Sequence, residues 1–346
     1  MQPRHGRFEG GLTALAQRRE SRRGFLLGSA KVAAGGALAA MFAGRAGGWA
    51  FAQGTPVASA LASLGLPELK ITATDTGYEG VPAETAAGWY LVTLSNTGQG
   101  PATADFMQLP QGMSIADFQA LLKSIAGTPA AGTPAAAATA MAGGTPSAEA
   151  AGAPPPWYYQ VYMAGGAAAA PGQTVQAVIE LRPGDYAVWG EDPTVPQQPQ
   201  GLKVTGTVSG APPAPAADVT VDEVNTASGF AFRVQGAFKA GPQVVKVDNT
   251  SDQPHFILVI KSPVALTQAQ AEQLAMEEPN ATPPAGLNPN ELQTVALAAT
   301  QSAGATSWHV FDLEAGHYII ACFVTDPKTG KTHAMEGMID VFDIGG

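Results

Sequence analysis

The stretch AAGWYLVTLSNTGQGPATADFMQLPQGMSIADFQALL (86–122) shares its pattern with KAGPQVVKVDNTSDQPHFILVIKSPVALTQAQAEQL (239–274). Aligned on Asn96 and Asn249, the two stretches run together without a gap. Each predicts a β-strand, a turn, a second strand and then a short helix. A repeat of this length indicates that the chain contains two copies of one structural unit.

The likeness between the two copies continues further along the chain. The sequence LRPGDY (181–186) corresponds to LEAGHY (313–318), and each reads as a glycine turn followed by an aromatic-rich strand. The predicted short helices begin after Ser114 and Thr267, which are residue types that cap helices. Short β-branched and aromatic runs between Gly, Pro and Asn favour an all-β fold. We therefore expect two tandem β-sandwiches with short helical insertions.

Composition marks the boundaries of these two units. The first domain is predicted over 62–208 and the second over 217–346, and a Pro/Ala-rich segment at 209–216 reads as a semi-rigid linker. Within the first domain, residues 127–156 form a low-complexity insert. It has few side chains able to bury apolar area, so we expect a disordered surface loop.

The N-terminal segment, 1–52, resembles a twin-arginine signal peptide. SRRGFLL (21–27) carries the paired arginines, a weakly apolar stretch follows, and AFA (50–52) reads as a cleavage site. These features predict export to the periplasm, the cell envelope or the extracellular space. An uncleaved anchor is the alternative, although the apolar stretch is shorter than the ~20 residues that span a bilayer. We expect no transmembrane span in the mature chain.

The charge of the chain is unevenly distributed. After residue 52 there remain 10 basic and 26 acidic residues, which gives a net charge of −16. An acidic protein repels phosphate backbones, so nucleic acid is not an expected partner. A partner protein with a basic docking surface fits this charge better.

The second copy carries four residues that could bind a metal ion: His255, Cys322, His333 and Met338. Blue-copper sites use two imidazoles and one thiolate, with a weak, long thioether bond on the axis. Cys322 is the single cysteine of the chain, so an intramolecular disulfide is excluded and a metal ligand or a reactive thiol remains.

The first copy lacks these residues and serves as an internal control. The alignment places Ala102 opposite His255 and Gly190 opposite Cys322. When Gly201 is aligned with Gly337, Gln197 falls opposite His333 and Leu202 falls opposite Met338. The repeated fold therefore does not require the four candidate ligands.

The sequences NTSDQPH (249–255), GHYIIAC (316–322) and HAMEGM (333–338) resemble the ligand segments of the cupredoxin family, the plastocyanin and azurin kind. The likeness is strongest over 240–346. It implies Greek-key β-sandwiches and one type 1 copper site. His255, Cys322 and His333 would be the equatorial ligands and Met338 the axial ligand. The function implied is one-electron transfer or copper holding.

Two features depart from the family pattern. Ten residues separate Cys322 from His333, more than in the small electron carriers, and a turn at 326–330 is expected to take up the excess. In addition, Phe256 follows the first histidine where the small blue-copper proteins usually have a polar residue. Met335 competes with Met338 as the axial ligand but fits the spacing less well.

Other readings of the same residues remain open. A metal-free cell-envelope binding or scaffold module could retain a relic of the copper site. A copper enzyme, such as a two-domain nitrite reductase or a multicopper oxidase, is disfavoured because such enzymes need further histidine-rich sites. Besides the two candidate ligands, the chain after the signal has His309 and His317, which read as a strand and a turn residue.

Overall fold

The computed structural model describes residues 61–126, 154–190, 198–209, 213–276, 283–288 and 291–345. The predicted signal peptide and most of the low-complexity insert lie outside these ranges, so the structure tests neither prediction. Among the described residues, no helix has the length and apolar character needed to cross a membrane.

Strands dominate the described part of the chain. The N-terminal half contains β1 (Glu68–Ala73), β2 (Tyr78–Glu79), β3 (Glu84–Ala86), β4 (Gly88–Asn96), β5 (Ala102–Gln108), β6 (Met163–Ala169), β7 (Thr174–Leu181), β8 (Gly184–Trp189) and β9 (Gln200–Thr205). The C-terminal half contains β10 (Val219–Thr226), β11 (Gly229–Gly236), β12 (Gly241–Asn249), β13 (His255–Ser262), β14 (Gln293–Gln301), β15 (Thr306–Leu313), β16 (Gly316–Ala321) and β17 (Ile339–Ile344). The all-β prediction is confirmed.

Within the described residues, two short α-helices interrupt the strands, α1 (Ile115–Ala126) and α2 (Gln268–Ala275). Both helices begin directly after the predicted cap residues, Ser114 and Thr267. The side chain of Thr267 accepts a hydrogen bond from the backbone N–H of Gln270, and the side chain of Gln270 accepts one from the backbone N–H of Thr267, so α2 starts with a capping box. At the start of α1, Ser114 accepts a hydrogen bond from the backbone N–H of Asp117.

The strands form two large sheets, and each sheet is built from both halves. One has the order β11-β10-β12-β15-β7-β4-β1-β2, and the other β17-β16-β13-β14-β6-β5-β8-β9-β3. The halves meet where β15 pairs with β7 and where β14 pairs with β6. The two sandwiches therefore lie side by side and share both of their sheets.

Each half has its own apolar core between the two sheets. In the C-terminal half, Val221 and Val245 of one sheet pack with Ile257 and Ile320 of the other, and all four are buried. A comparable cluster fills the N-terminal half. Burial of this apolar surface is the main driving force for both sandwiches.

Strand pairing confirms the internal repeat. The parallel pair β1–β4 corresponds to β10–β12, and the antiparallel pair β4–β7 corresponds to β12–β15. The two aligned asparagines also make equivalent bonds: each side-chain amide donates to two backbone carbonyls, Asn96 to Gly100 and Ala169, and Asn249 to Gln253 and Gln301. The same interactions thus fix the same turn in the two copies.

The strand register corrects one part of the sequence alignment. Tyr186 pairs with Leu202 in the first half, whereas Tyr318 pairs with Phe342 in the second. Leu202 therefore occupies the position of Phe342, and the position of Met338 falls on Gln198. Alignment of Gly201 with Gly337 was wrong by four residues, because the loop before the last strand differs in length between the copies.

Candidate metal centre

Three of the predicted ligands meet at one end of the C-terminal sandwich. His255 is the first residue of β13, Cys322 directly follows β16, and His333 opens a 3₁₀ turn, His333–Glu336. Strands β13 and β16 are antiparallel neighbours, so the start of one lies beside the end of the other. All three side chains are fully buried.

The potential ligand atoms form a compact triangle. Cys322 Sγ lies 3.7 Å from Nδ1 of His255 and 3.6 Å from Nδ1 of His333. The two Nδ1 atoms are 2.8 Å apart. All three ligand atoms lie within 4.8 Å of one another, and among the described residues these three side chains form a group that could hold a metal ion.

Hydrogen bonds at the far side of each imidazole orient the two rings. Nε2 of His333 lies 3.0 Å from Oε1 of Gln253, which can only accept. Nε2 of His255 lies 2.7 Å from the hydroxyl of Ser251, whose own acceptors are Oδ1 of Asn249 at 2.8 Å and the carbonyl of Gln253 at 3.0 Å. Each Nε2 therefore carries the proton, and each Nδ1 presents a lone pair toward Cys322.

Burial keeps both imidazoles in the neutral form. It lowers the pKa of His255 well below its usual value, and the neighbouring His333 lowers it further. Burial also lowers the pKa of His333 to about 3, although Asp326 and Asp252 oppose the change. A neutral imidazole is the form that binds metal ions.

The triangle fits a metal ion. With the bond lengths of zinc sites, about 2.3 Å to sulfur and about 2.0 Å to nitrogen, a trigonal centre spans about 3.7 Å between S and N. The two observed S–N edges agree with this value. The N–N edge is about 0.7 Å shorter than such a centre needs, so the rings would separate slightly. Two lone pairs this close repel each other unless a proton or a metal ion lies between them.

Met338 lies in the same region of the structure. It is fully buried, its backbone N–H donates to the carbonyl of His333, and its carbonyl accepts from the N–H of Cys322. These two bonds close the segment 322–338, which we call the ligand loop. Met335, the competing methionine, is half-buried within the 3₁₀ turn.

Phe230, which the sequence reading did not single out, covers the centre. Its ring centroid lies 4.2 Å from that of His333 and 5.0 Å from that of His255. The preceding residue, Gly229, has a φ of +147°, and a Cβ there would lie 2.3 Å from the carbonyl oxygen of Glu336. The hairpin between β10 and β11 can therefore approach the ligand loop only because this residue is glycine.

The remaining histidines have other hydrogen-bond partners. His309 is buried in β15 with Nε2 2.8 Å from the hydroxyl of Ser307. His317 is exposed near the start of β16, with Nδ1 2.7 Å from a carboxylate oxygen of Asp343. Phe256 is part of the buried core, so it cannot orient the ligand loop. Gln253 supplies a polar contact to this loop instead.

Sequence reasoning missed the residues that surround the candidate ligands. Ser251 and Gln253 stand four and two positions before His255, within the segment that was recognised, but nothing in one sequence indicates where their side chains point. Phe230 lies 25 residues before His255 on a different sheet, so no local pattern could have identified it.

No protein-family model and no curated protein matches this chain. Similar solved structures include auracyanin from Roseiflexus castenholzii, 24% identical over 38% of this chain and 100% of that one, with a TM-score of 0.25. Copper nitrite reductase from Nitrosomonas europaea is 11% identical over 81% of this chain and 94% of its own, with a TM-score of 0.21. A multi-copper oxidase from Pediococcus acidilactici is 10% identical over 83% and 62%, with a TM-score of 0.22.

Because these TM-scores lie below 0.5, we take the fold from the strand pairing and the metal centre from its own geometry. Two facing sheets with a parallel first pair, and a buried His–Cys–His group at one end, give the C-terminal half a cupredoxin-like architecture. The N-terminal half repeats the strand order with Ala102 and Gly190 at the positions of His255 and Cys322.

Proposed function

We propose that this chain is an exported one-electron carrier with a single type 1 copper site in its C-terminal half. His255, Cys322 and His333 would be the equatorial ligands and Met338 the axial ligand. One observation carries the proposal: the Nδ1 atoms of two buried, hydrogen-bonded imidazoles face a buried thiol. Two imidazoles and one thiolate are the donor set that type 1 copper uses.

Each residue contributes one requirement of such a site. Copper held there would supply a one-electron couple, since thiolate favours Cu(I) and imidazole suits Cu(II). The Cys322 thiol would lose its proton to become a ligand. Ser251 and Gln253 keep the rings oriented, and the Phe230 ring excludes water from the two imidazoles.

The environment of the other histidines supports a carrier rather than an enzyme. His309 and His317 are bonded to Ser307 and Asp343, and among the described residues no second group of three metal-binding side chains accompanies the first. A purified copper form should accordingly show no turnover of nitrite or of phenols. Turnover of either substrate would indicate a copper enzyme instead.

Location and partner follow from the sequence. The twin-arginine motif at 21–27 supports export, and the net charge of −16 after residue 52 supports docking to a partner with a basic surface. Association with such a partner should weaken as salt is added, because exposed charges are screened.

The test is a Cu(II) titration of the purified protein, followed by visible absorption and electron paramagnetic resonance. The wild type should show an intense thiolate-to-copper band and a narrow hyperfine splitting. Cys322→Ser should lose the band, and His333→Gln should lose tight binding. His317→Gln, a matched change at an exposed histidine, should leave the spectrum unaltered. Absence of a band in the wild type would favour the metal-free scaffold reading.

A further inference from the structure

The ligand loop contains hydrogen bonds of its own. The N–H of His333 donates to the carbonyl of Val324, and the N–H of Asp326 donates to that of Lys331. Thr325 lies between these bonds and pairs with Thr332 across the loop. Thr325 is 7% exposed, so its carbonyl cannot rely on water.

That carbonyl accepts a hydrogen bond from the other half of the chain. The hydroxyl of Tyr159 lies 2.5 Å from the oxygen of Thr325, across a separation of 166 residues. Tyr159 ends a short 3₁₀ turn, Pro156–Tyr159, in the N-terminal half. Its ring also packs against the apolar core of the C-terminal half.

A second set of bonds holds the segment that carries Tyr159. The Ser302 hydroxyl donates to the carbonyl of Val161 at 3.1 Å and accepts from the N–H of Met163 at 2.9 Å. The N–H of Ser302 also donates to the carbonyl of Met163 at 3.0 Å. Segment 156–163 is thus fixed to the C-terminal half just before β6 joins β14.

We propose that the N-terminal half, which lacks the candidate ligands, holds the ligand loop of the C-terminal half in place through the hydroxyl of Tyr159. Tyr159 is a positioning residue: it acts on Thr325, which lies three residues after Cys322. This role rests on the proposed copper function, but the contact itself exists without metal. It gives the long ligand loop a second polar contact, beside that of Gln253, where Phe256 can supply none.

Tyr159→Phe removes the hydroxyl and retains the ring. The buried Thr325 carbonyl then loses its partner, and opening of the loop should become easier. In the metal-free protein, we expect hydrogen exchange at the amides of Asp326, Gly330 and His333 to accelerate about tenfold. In the Cu(II) form, we expect a widened hyperfine splitting and a shifted thiolate-to-copper band.

Tyr162→Phe is the matched control. Tyr162 stands three residues away and also donates to a backbone carbonyl, that of Glu180 at 3.1 Å, but within the N-terminal half. This variant should leave both measurements unchanged. Equal acceleration in the two variants would indicate general destabilisation and would overturn the proposal. Unchanged exchange in Tyr159→Phe, or an unchanged copper spectrum, would overturn it as well. If the wild type binds no copper, the proposed function fails, and the hydrogen-exchange measurement alone tests whether Tyr159 holds the ligand loop.

Discussion

Replacing Glu223 by Gln should remove from the metal-free protein one contribution to stability that is lost as pH rises. Glu223 lies on β10 and is fully buried. One carboxyl oxygen accepts a hydrogen bond from the side chain of Gln301 at 3.1 Å, and the other has no hydrogen-bond partner among the described residues. Gln301 in turn accepts from Ser307, whose hydroxyl lies 2.8 Å from Nε2 of His309.

The N-terminal half shows that the fold does not need this buried polar chain. Strand pairing aligns its four members with small apolar residues of the first copy: Glu223 with Ala73, Gln301 with Ala169, Ser307 with Val175, and His309 with Ala177. The polar residues occur only in the half that carries the candidate metal centre. Their effect on stability can therefore be altered without loss of the architecture.

The expected magnitude follows from the pKa of the carboxyl group. Burial, assisted by Asp248 and opposed by the bond from Gln301, raises the pKa of Glu223 from 4.5 to about 8. Below about pH 4.5 the group is protonated in the folded and unfolded states alike. Between the two values the unfolded chain releases the proton and the folded protein keeps it, so stability falls as pH rises. From pH 5 to pH 7 this loss amounts to about 2.5 kcal/mol.

Denaturant unfolding of wild type and Glu223→Gln at pH 5, 6, 7 and 8 measures the effect. The unfolding free energy of the variant, relative to that of the wild type, should increase as pH rises from 5 to 8. Glu223→Ala should give the same change with pH, with an added constant loss from the cavity it creates. A difference that stays constant from pH 5 to pH 8 would refute the reasoning, because it would show that Glu223 does not hold its proton in the folded state.

Two further substitutions test the surroundings of the candidate centre. Gln253→Ala removes the acceptor that orients His333 and should weaken Cu(II) affinity about 10- to 100-fold in a titration, whereas Gln235→Ala on the exposed part of β11 should not. Gly229→Ala should lower the unfolding free energy by about 3 kcal/mol, through a clash with the ligand loop and an unfavourable φ. Gly241→Ala, at a φ of +92° with open space around it, should cost only about 1 kcal/mol; equal losses would mean that the clash is relieved.

Much of the architecture could be predicted because the repeat is local. Each copy contains its own strands, turns and helix caps, and Asn96 and Asn249 make equivalent bonds within their own copies. The alignment failed only at Gly201 and Gly337, where the two loops differ in length and the sequence supplies no register. Strand pairing alone resolved that position.

The sequence by itself determined which residues could bind a metal ion, because only one copy carries His255, Cys322 and His333. Only the tertiary structure decided which way the two imidazoles point, that the two halves share both sheets, and that Tyr159 reaches the ligand loop. The physical reason is distance along the chain. Periodicity and capping act over a few residues, whereas a hydrogen bond across 166 residues depends on how the two halves of the chain pack together.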